Sequence, residues 1–567
     1  MSWRNSQFNR FRLAKSLKLT ISLALVILLF NFVTPAALAM RASTVSPDHH
    51  DFRSAFSAGA VSSSSNDLRS TLPASYKNFP YLQAKATFDP AKAETQVKVG
   101  LFGIGLNTYW GQFSGLRERL EGYLKNIEKR LGSTGNCQVV SAGLVDTIEK
   151  ARQAAVLFKS SNVRIIFLYV STYALSSTVL PVVQEAKVPV VVLNLQPAAA
   201  IDYQWFNSLG DRGKMTGEWL AFCQACSVPE IANVFNRSGV DFHLITGTLD
   251  DPEAWQEISE WIEAASVADV LRRTNLGILG HYYNGMLDVY SDPTQLAASL
   301  GLHIEFLEMA ELKELRKKVT PKEVEAKIQE MQRVFDILPE CSRAEIERAA
   351  RTACALDNLV ASKNLGCVAY YYEGTPGSEE EDVVTSMIAG NSLLTARHVP
   401  MAGECEVKNA VAMKIMDAFG AGGSFTEFYA MDFNEGVVLM GHDGPGHLGI
   451  AEGKPLLKPL GVFHGKPGKG LSVEMKVKNG PVTLLSVVQT KNGELKLLVA
   501  EGESVPGPIL EIGNTNSRYK FPLGVKGFVE AWSKEGPAHH CAVGVGHIAS
   551  KIQKLAAILG ARFVKVC

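Results

Sequence analysis

The chain has 567 residues, which at about 100–200 residues per domain is enough for several domains and a large core. Lys plus Arg and Asp plus Glu each number 57, so the charge balance gives no reason to expect nucleic acid or an anionic membrane surface as the main partner. Hydrophobic residues make up 46% and charged residues 20%, which excludes overall disorder. The nine cysteines are odd in number and thinly spread, which excludes a dense disulfide framework.

The N-terminal segment has the pattern of a secretory signal. Residues 1–18 are basic and contain no acid, residues 19–33 are apolar, and an Ala-Ala-Leu-Ala stretch ends at Ala39. This predicts a signal peptide over residues 1–39 and export to a periplasmic or extracellular space. An uncleaved anchor, an organellar leader and a cytoplasmic location are the alternatives. Residues 40–95 are predicted to be a disordered linker, because the Ser- and Ala-rich stretch that follows the leader has no hydrophobic periodicity.

The first part of the mature chain alternates between strand and helix patterns. Short apolar runs at 97–102, 163–170 and 188–195 are separated by helical stretches such as 116–131. Buried strands separated by helix-length segments predict a parallel, doubly wound sheet with helices on both faces. We assign residues 96–235 to this N-terminal α/β domain.

A second α/β unit is predicted over residues 236–400. Its candidate strands are 241–246, 276–279, 303–306 and 367–372. Two helices carry start signals of the capping-box type, Thr320 to Glu323 and Ser342 to Glu345. The fold class is therefore α/β, with two doubly wound units in succession.

The last third, residues 401–567, changes to an antiparallel pattern. Asn479-Gly480 and Asn492-Gly493 each lie between strand-like runs, at 471–477, 482–489 and 495–499. Asn-Gly between such runs is the strongest short hairpin signal. We expect antiparallel strands near 430–515, forming a β-barrel-like C-terminal domain.

Two short motifs carry little functional information. Gly103-Ile104-Gly105 follows the first strand but lacks the third glycine of a dinucleotide fingerprint, so we interpret it as a loop in which Asn107 lines a pocket. Cys223-Gln224-Ala225-Cys226 is interpreted as two thiols on a buried helical segment. A redox pair or half of a zinc site is the alternative.

Carboxylates and histidines beside glycines gather in the last third of the chain. Glu404 follows Gly403, Glu427 closes a Gly-Gly-Ser-Phe-Thr-Glu run, His442 follows Gly441, and His540 lies far downstream. Such residues at the ends of elements suit a hard-to-borderline divalent cation. The alternative is that they are ordinary surface acids and hydrogen-bonded histidines.

These segments together resemble the L-arabinose isomerases, within the L-fucose/L-arabinose isomerase group. The resemblance rests on Gly403-Glu404, Gly423 to Tyr429, Leu439 to His442 and Ala538 to His540, and it covers residues 398–548. It implies a three-domain α/β fold with a C-terminal barrel, a Mn²⁺ site of two glutamates and two histidines, and assembly as a trimer or hexamer. The implied activity is that of an aldose–ketose isomerase acting on a monosaccharide.

The resemblance also implies roles for individual residues. Glu404, Glu427, His442 and His540 would be the metal ligands, and the two glutamates would also be the catalytic acid/base pair. His539 would support the site without binding the metal. Gln196, at the family's substrate-side strand end, would bind substrate together with Tyr429 and Asn107.

The sequence departs from the family pattern at several positions. Asp443 to His447 replaces a more apolar stretch, and Phe428 replaces the usual acid between Glu427 and Tyr429. The leader is also foreign to a cytoplasmic sugar isomerase. The departures predict that L-arabinose is a poor substrate. They also leave room for a catalytically inactive sugar-binding or sensory relative as the alternative function.

Overall fold

The computed structural model describes residues 96–463 and 466–567, with the side chains of 462–467 left out. The predicted signal peptide and linker lie outside the described residues. The described residues all belong to one compact unit.

The first sheet is parallel, in the order β2-β1-β3-β4-β5. Alternate residues of its strands belong to two separate cores, as Leu101 and Phe102 of the first strand show. Helices therefore cover both faces, as the unbroken apolar runs predict. The strands are β1 (Val97–Ile104), β2 (Cys137–Val145), β3 (Ile165–Tyr169), β4 (Val190–Gln196) and β5 (Phe242–Thr248). The helices of this region are α1 (Leu116–Ser133), α2 (Ile148–Ser161), α3 (Leu180–Ala186), α4 (Tyr203–Ser208), α5 (Arg212–Leu220), α6 (Val228–Ser238) and α7 (Pro252–Arg272).

The strand predicted at 241–246 belongs to the first sheet, so its assignment to the second unit is wrong. It is β5, and it pairs in parallel with β4 from Val190↔Phe242 to Gln196↔Thr248. Apolar periodicity identifies a buried strand but not the sheet that it joins. The partner is decided by the crossover through α6, which returns the chain to the edge of the same sheet.

The predicted cysteine motif is also corrected by the structure. Cys223 and Cys226 form a disulfide, with Cα atoms 5.4 Å apart. Cys223 is buried, but Cys226 lies at the surface, in a short 3-10 turn rather than on a buried helix. The turn brings the two sulfur atoms close enough to bond, whereas two separate thiols on a buried helix would not have to meet.

The second sheet is parallel too, in the order β10-β9-β6-β7. Its strands are β6 (Asn275–Gly280), β7 (His303–Leu307), β9 (Leu365–Tyr371) and β10 (Met401–Ala402), while β8 (Asp336–Ile337) joins a small separate sheet. The helices are α8 (Pro293–Leu300), α9 (Met309–Lys317), α10 (Pro321–Val334), α11 (Arg343–Lys363), α12 (Glu379–Val384) and α13 (Ile388–Ala396).

The two predicted helix starts are confirmed, with one difference. Thr320 and Glu323 form the reciprocal capping box of α10. Ser342 caps α11 by accepting a hydrogen bond from the Glu345 backbone N–H at 3.2 Å. The Glu345 carboxylate, however, accepts from Arg348 at 2.7 Å. A guanidinium one turn along the helix is the stronger donor for that carboxylate.

The C-terminal part is rich in sheet. Its strands follow the order β17-β20-β11-β12-β19-β18-β21, and β17 also pairs with β18. The pairs are antiparallel except for β21 on β18. The strands are β11 (Gly422–Asp432), β12 (Val437–His442), β13 (Leu456–Pro459), β14 (Val462–Phe463), β15 (Lys466–Pro467), β16 (Leu471–Glu474), β17 (Gly480–Gln489), β18 (Leu495–Val505), β19 (Thr515–Lys520), β20 (His540–Val545) and β21 (Arg562–Lys565). The helices are α14 (Val407–Ala418), α15 (Gly524–Lys534) and α16 (Ala549–Leu559).

Of the two predicted hairpins, one is confirmed. The Asn492-Gly493 turn joins β17 to β18, which pair antiparallel from Gly480↔Ser504 to Gln489↔Leu495. The Asn479-Gly480 hairpin is wrong, because the strand before it, β16, pairs with β13 in the small sheet that also holds β8. The chain changes sheets at this point instead of folding back on itself.

Helix α14 connects the second sheet to the C-terminal sheet. Every residue from Val407 to Asp417 is buried. The helix packs on β9 and on β11, β17 and β20. An amphipathic helix would bury one stripe only. Because α14 is buried on every side, the packing around it fixes the position of its first turn, which lies next to Glu404.

No helix within the described part of the chain combines the length and apolar character needed to cross a bilayer.

Candidate active site

Glu404 lies at the junction between β10 and α14. A 3-10 turn, Gly403–Cys405, joins them, and both Glu404 and Cys405 have left-handed backbone angles, with φ of 54° and 57°. Non-glycine residues seldom adopt this conformation, and it persists where the surrounding structure enforces it. The Glu404 side chain, which this turn presents, is 15% exposed to solvent.

Three strands of the C-terminal sheet contribute the other predicted residues. Glu427 on β11 lies opposite His540 on β20 and opposite Gly441 on β12, and His442 follows Gly441. Facing residues of antiparallel strands are about 5 Å apart. The register of the sheet therefore places Glu427 directly beside His540, with His442 one residue beyond the other partner of Glu427, Gly441.

Two of the predicted metal-binding side chains approach Glu404. His540 Nε2 lies 3.4 Å from Glu404 Oε2, and His442 Nε2 lies 3.9 Å from Glu404 Oε1. Phe425 packs against both histidines, with its ring centroid 4.4 Å from each. The structure thus brings together residues from three distant segments of the chain, as the resemblance implies.

His539 also reaches the cluster, from its outer side. Its Nε2 lies 3.5 Å from Glu404 Oε2 and 3.9 Å from Glu427 Oε2. Ligand atoms of Glu404, His539 and His540 all lie within 4.8 Å of one another. His539 is 34% exposed at its side chain, whereas His540 is fully buried.

The electrostatics of the two adjacent histidines differ. Burial, with the nearby His442 and His539, lowers the pKa of His540 well below its usual value. Burial also acts to lower the pKa of His539, but the Glu404 and Asp288 carboxylates outweigh it and raise that pKa to about 9. His540 is therefore neutral at pH 7, with a lone pair to offer, while His539 carries a proton.

The residues present fit a divalent cation. Both ring nitrogens of His540 are buried and make no hydrogen bond within the described part of the chain. A buried imidazole without a hydrogen-bond partner is costly unless another ligand satisfies it. Carboxylate oxygens and imidazole nitrogens together are a donor set for a borderline divalent ion.

A second, deeper carboxylate supports the cluster. Glu406 is fully buried, and burial raises its pKa to about 7. Its Oε2 lies 4.0 Å from His540 Nδ1, and its Oε1 lies 2.9 Å from Lys408 Nζ. Sequence analysis did not single out Glu406 or Lys408. The signal that could have identified them was their position, two and four residues after Glu404, at the start of helix α14.

The predicted substrate-binding residues fall in two places. Tyr429 lies on β11 with Glu427, and its hydroxyl accepts a hydrogen bond from Asn514 Nδ2 at 2.8 Å. Burial, with Asp443 and Glu427 nearby, raises the pKa of Tyr429. Asn107 and Gln196 instead follow β1 and end β4, at the carboxyl edge of the first sheet. Gln196 Nε2 there donates to the Ala198 carbonyl at 2.6 Å.

Comparison with known proteins supports the resemblance. Residues 422–562 match the family described as the L-arabinose isomerase C-terminal domain. The L-arabinose isomerase of Bacillus subtilis is 23% identical over 55% of this chain and 64% of its own length. That of Aeromonas salmonicida is 20% identical over 57% of this chain and 66% of its own, and that of a Nocardioides species is 23% identical over 59% and 68%.

Among solved structures, a solute-binding protein of an ABC transporter from Burkholderia multivorans covers 55% of this chain and 96% of its own, at 12% identity. The TM-score is 0.15, too low to support any argument. The chain matches less than two thirds of the length of the Bacillus subtilis enzyme. The resemblance predicted from the sequence is nevertheless confirmed: the chain is similar to L-arabinose isomerases over more than half of its length.

Proposed function

We propose that the protein is an aldose–ketose isomerase that acts on a monosaccharide and depends on a divalent cation, most simply Mn²⁺. The single observation that carries the proposal is the convergence of His442 and His540 on Glu404, with Glu427 opposite His540 in the sheet, so that residues from three distant segments meet. The names of the relatives, all L-arabinose isomerases, support the same reaction class.

Glu404, Glu427, His442 and His540 would hold the cation. When bound, the ion supplies positive charge that polarises the sugar carbonyl and makes the neighbouring C–H proton more acidic. Neutral His540 is ready to act as a ligand without first losing a proton. The left-handed turn at Glu404 and the packing of Phe425 against both histidines keep the ligand atoms in place.

Glu404 and Glu427 would move the proton between C1 and C2 of the sugar. Two carboxylates so close repel one another unless a positive charge lies between them. With that charge present, both are anionic: one would accept the proton from one carbon and, once protonated, return it to the neighbouring carbon, while the other would carry the hydroxyl proton between O1 and O2 in the same way. General acid–base catalysis of this kind contributes about 10²–10⁴-fold to a rate. Tyr429, which lies beside Glu427 on β11, would contact the sugar.

Several finer features belong to the same proposal. The pairing of β17 with β18 supports a closed barrel in the C-terminal region. The basic and apolar leader supports cleavage after Ala39 and export, with a linker over residues 40–95. A C-terminal domain over residues 401–567, substrate contacts from Asn107 and Gln196, and assembly as a trimer or hexamer complete it.

The test is substitution of each glutamate by glutamine, which keeps the size and removes the charge. Glu404→Gln and Glu427→Gln should each reduce kcat by at least about 10²-fold, and chelation should abolish the activity of the wild type until Mn²⁺ is restored. His540→Ala should weaken Mn²⁺ binding measured by calorimetry. Glu494→Gln, at an exposed turn, is the matched control. Isomerase activity that survives exhaustive chelation, or full activity in Glu404→Gln, would contradict the proposal.

A further inference from the structure

One wall of the candidate site is a loop from a different sheet. Residues 281–292 connect β6 to α8, and this segment, the 281–292 loop, crosses in front of the cluster around Glu404. Its outer side faces solvent, since Leu287 is 75% exposed and the Asp288 side chain 41%. It contacts the turn at Glu404 directly, because the Tyr283 backbone N–H donates to the Glu404 carbonyl at 3.5 Å.

Buried contacts fix the far end of the loop. Lys408 Nζ, on the buried helix α14, donates to the carbonyls of Asp288, Val289 and Tyr290 at 2.9, 3.0 and 3.3 Å. Gln489 both donates to and accepts from the Asp292 backbone, at 2.9 Å each. A charged amine that satisfies three successive carbonyls holds their backbone in one conformation.

The fixed loop presents Asp288 to His539. Asp288 Oδ2 accepts from the His539 backbone N–H at 2.9 Å and lies 2.6 Å from His539 Nδ1. One oxygen atom thus restrains both the backbone and the ring of the same residue. With Nδ1 engaged, the nitrogen directed at Glu404 and Glu427 is Nε2.

The exposed fractions of the side chains separate the floor of the site from its mouth. His540 is 0% and His442 9% exposed, whereas His539 is 34% and its partner Asp288 41% exposed. A cation held by the buried pair would leave His539 on the side from which a sugar arrives. In that arrangement His539 would meet substrate oxygens.

We propose that Asp288 is a positioning residue, which holds His539 at the mouth of the site for contact with the sugar, and that Lys408 fixes Asp288 by clamping the backbone of residues 288–290. The inference rests on the proposed function and adds to it a residue 251 positions away from His539 along the chain. The inference concerns sugar turnover only, and we expect cation binding not to depend on Asp288.

The first experiment compares Asp288→Ala with Asp288→Asn. Alanine removes both contacts to His539, and asparagine keeps one oxygen acceptor without the charge. Asp288→Ala should lower kcat/KM by about 10–100-fold, because a displacement of about 1 Å in a group that positions the substrate can cost about 10²-fold. Asp288→Asn should recover a large part of the loss. The Mn²⁺ Kd, measured by calorimetry, should be unchanged in both variants.

The second experiment measures hydrogen–deuterium exchange in the full chain without substrate. Lys408→Met should speed exchange in peptides covering residues 281–292. Lys496→Met is the matched control, because Lys496 is equally buried and likewise donates to a backbone carbonyl and a carboxylate, those of Glu535. The control should leave exchange at 281–292 unchanged. If Lys408→Met does not fold, Asp288→Ala still tests the contact through exchange at the His539 amide.

The outcomes separate this inference from the proposed function. A wild type that neither binds Mn²⁺ nor isomerises sugars overturns the proposed function, and the inference with it. An active wild type with an equally active Asp288→Ala variant overturns the inference alone. So does parallel loss of Mn²⁺ affinity in Asp288→Ala, because His539 would then be a metal ligand. Lost turnover with intact Mn²⁺ binding and partial rescue by asparagine supports it.

Discussion

Asp417 is a buried carboxylate near the end of α14, surrounded by basic groups. His398 Nδ1 lies 2.8 Å from its Oδ1, Lys414 Nζ lies 3.4 Å from its Oδ2, and His447 Nε2 lies 3.9 Å from its Oδ1. Burial alone would raise the pKa of Asp417, but the charges of His398 and Lys414 and hydrogen bonds from His398 and His447 lower it far below its usual range. The charged form of Asp417 therefore stabilises the folded state.

This arrangement predicts a pH-dependent stability. Because the folded pKa is below the unfolded value of about 3.9, the contribution of Asp417 is fully present above that pH and is lost as the pH falls through and below it. Asp417→Asn should lower the free energy of unfolding by about 3–5 kcal/mol at pH 7. The deficit relative to the wild type should shrink by roughly 1 kcal/mol between pH 5 and pH 3. Denaturant unfolding at several pH values measures both.

Asp336→Asn is the control for that series. Asp336 pairs with Lys454 at 2.9 Å, but its side chain is 58% exposed. An exposed pair of this kind contributes about 1 kcal/mol or less. A pH-independent deficit in Asp417→Asn, or one no larger than that of the control, would contradict the account.

At the scale of single residues, the sequence predicted the centre of the candidate site but not its surroundings. Glu404 and His442 directly follow glycines, and Glu427 and His540 lie with them in segments whose spacing could be compared with a family. Asp288 lies in a loop of the second sheet and meets His539 only after the chain has folded. A contact between residues so far apart leaves no periodicity and no motif in one sequence.

At the scale of elements, β11 depends on a glycine at its start. Gly423 has φ of 111°, and a Cβ there would lie 2.8 Å from the Met413 carbonyl oxygen and 3.0 Å from Met416 Cβ. The strand can therefore pack directly on α14, which places Glu427 next to the turn that holds Glu404. No other residue type allows both this backbone angle and this approach.

Gly423→Ala should destabilise the protein by about 2 kcal/mol, because both the backbone and a carbonyl of α14 must move. Gly122→Ala is the matched control. Gly122 lies in α1, is exposed and has no atom within 4 Å of the added methyl group. Alanine there should stabilise the helix by about 0.5–1 kcal/mol. Thermal unfolding of the two variants should therefore shift in opposite directions, and equal shifts would contradict this view of β11.

Strand and helix positions were predictable where a local signal exists. The buried runs of β1, β3 and β4, the capping box of α10 and the Asn492-Gly493 turn are all found near their predicted places. The sheet that a strand joins was not predictable. The strand β5 and the Asn479-Gly480 segment were both misassigned, because their partners are chosen by long-range packing that alternation and turn residues do not encode.

At the scale of the whole molecule, two sheets share one buried helix. Helix α14 packs on the second sheet and the C-terminal sheet, and Lys408 extends from it to the 281–292 loop. Its first turn follows Glu404, and its last carries Asp417. The cluster of carboxylates and histidines is therefore assembled by the packing of separate parts of the chain, and its geometry depends on all of them.

The segment after His442 distinguishes this chain from the family pattern and predicts a different sugar preference. Glycines let residues 443–447 pack closely on the site, since a Cβ at Gly444 would lie 3.1 Å from His442 Nδ1 and one at Gly446 would lie 2.6 Å from Met475 Sδ. Asp443 accepts a hydrogen bond at 2.6 Å from Asn514 Nδ2, which also donates to the Tyr429 hydroxyl. This segment is therefore polar and closely packed.

We therefore expect L-arabinose to be a poor substrate of this protein. Two sugars that differ at one hydroxyl group can differ in kcat/KM by orders of magnitude. The reason is that a buried polar group without a hydrogen-bond partner is costly. The measurement is kcat/KM over a panel of aldoses and ketoses that differ at single carbon centres, with Mn²⁺ present. Asp443→Asn should change the ranking of the sugars more than it changes Mn²⁺ binding. The highest kcat/KM for L-arabinose in that panel would refute the expectation.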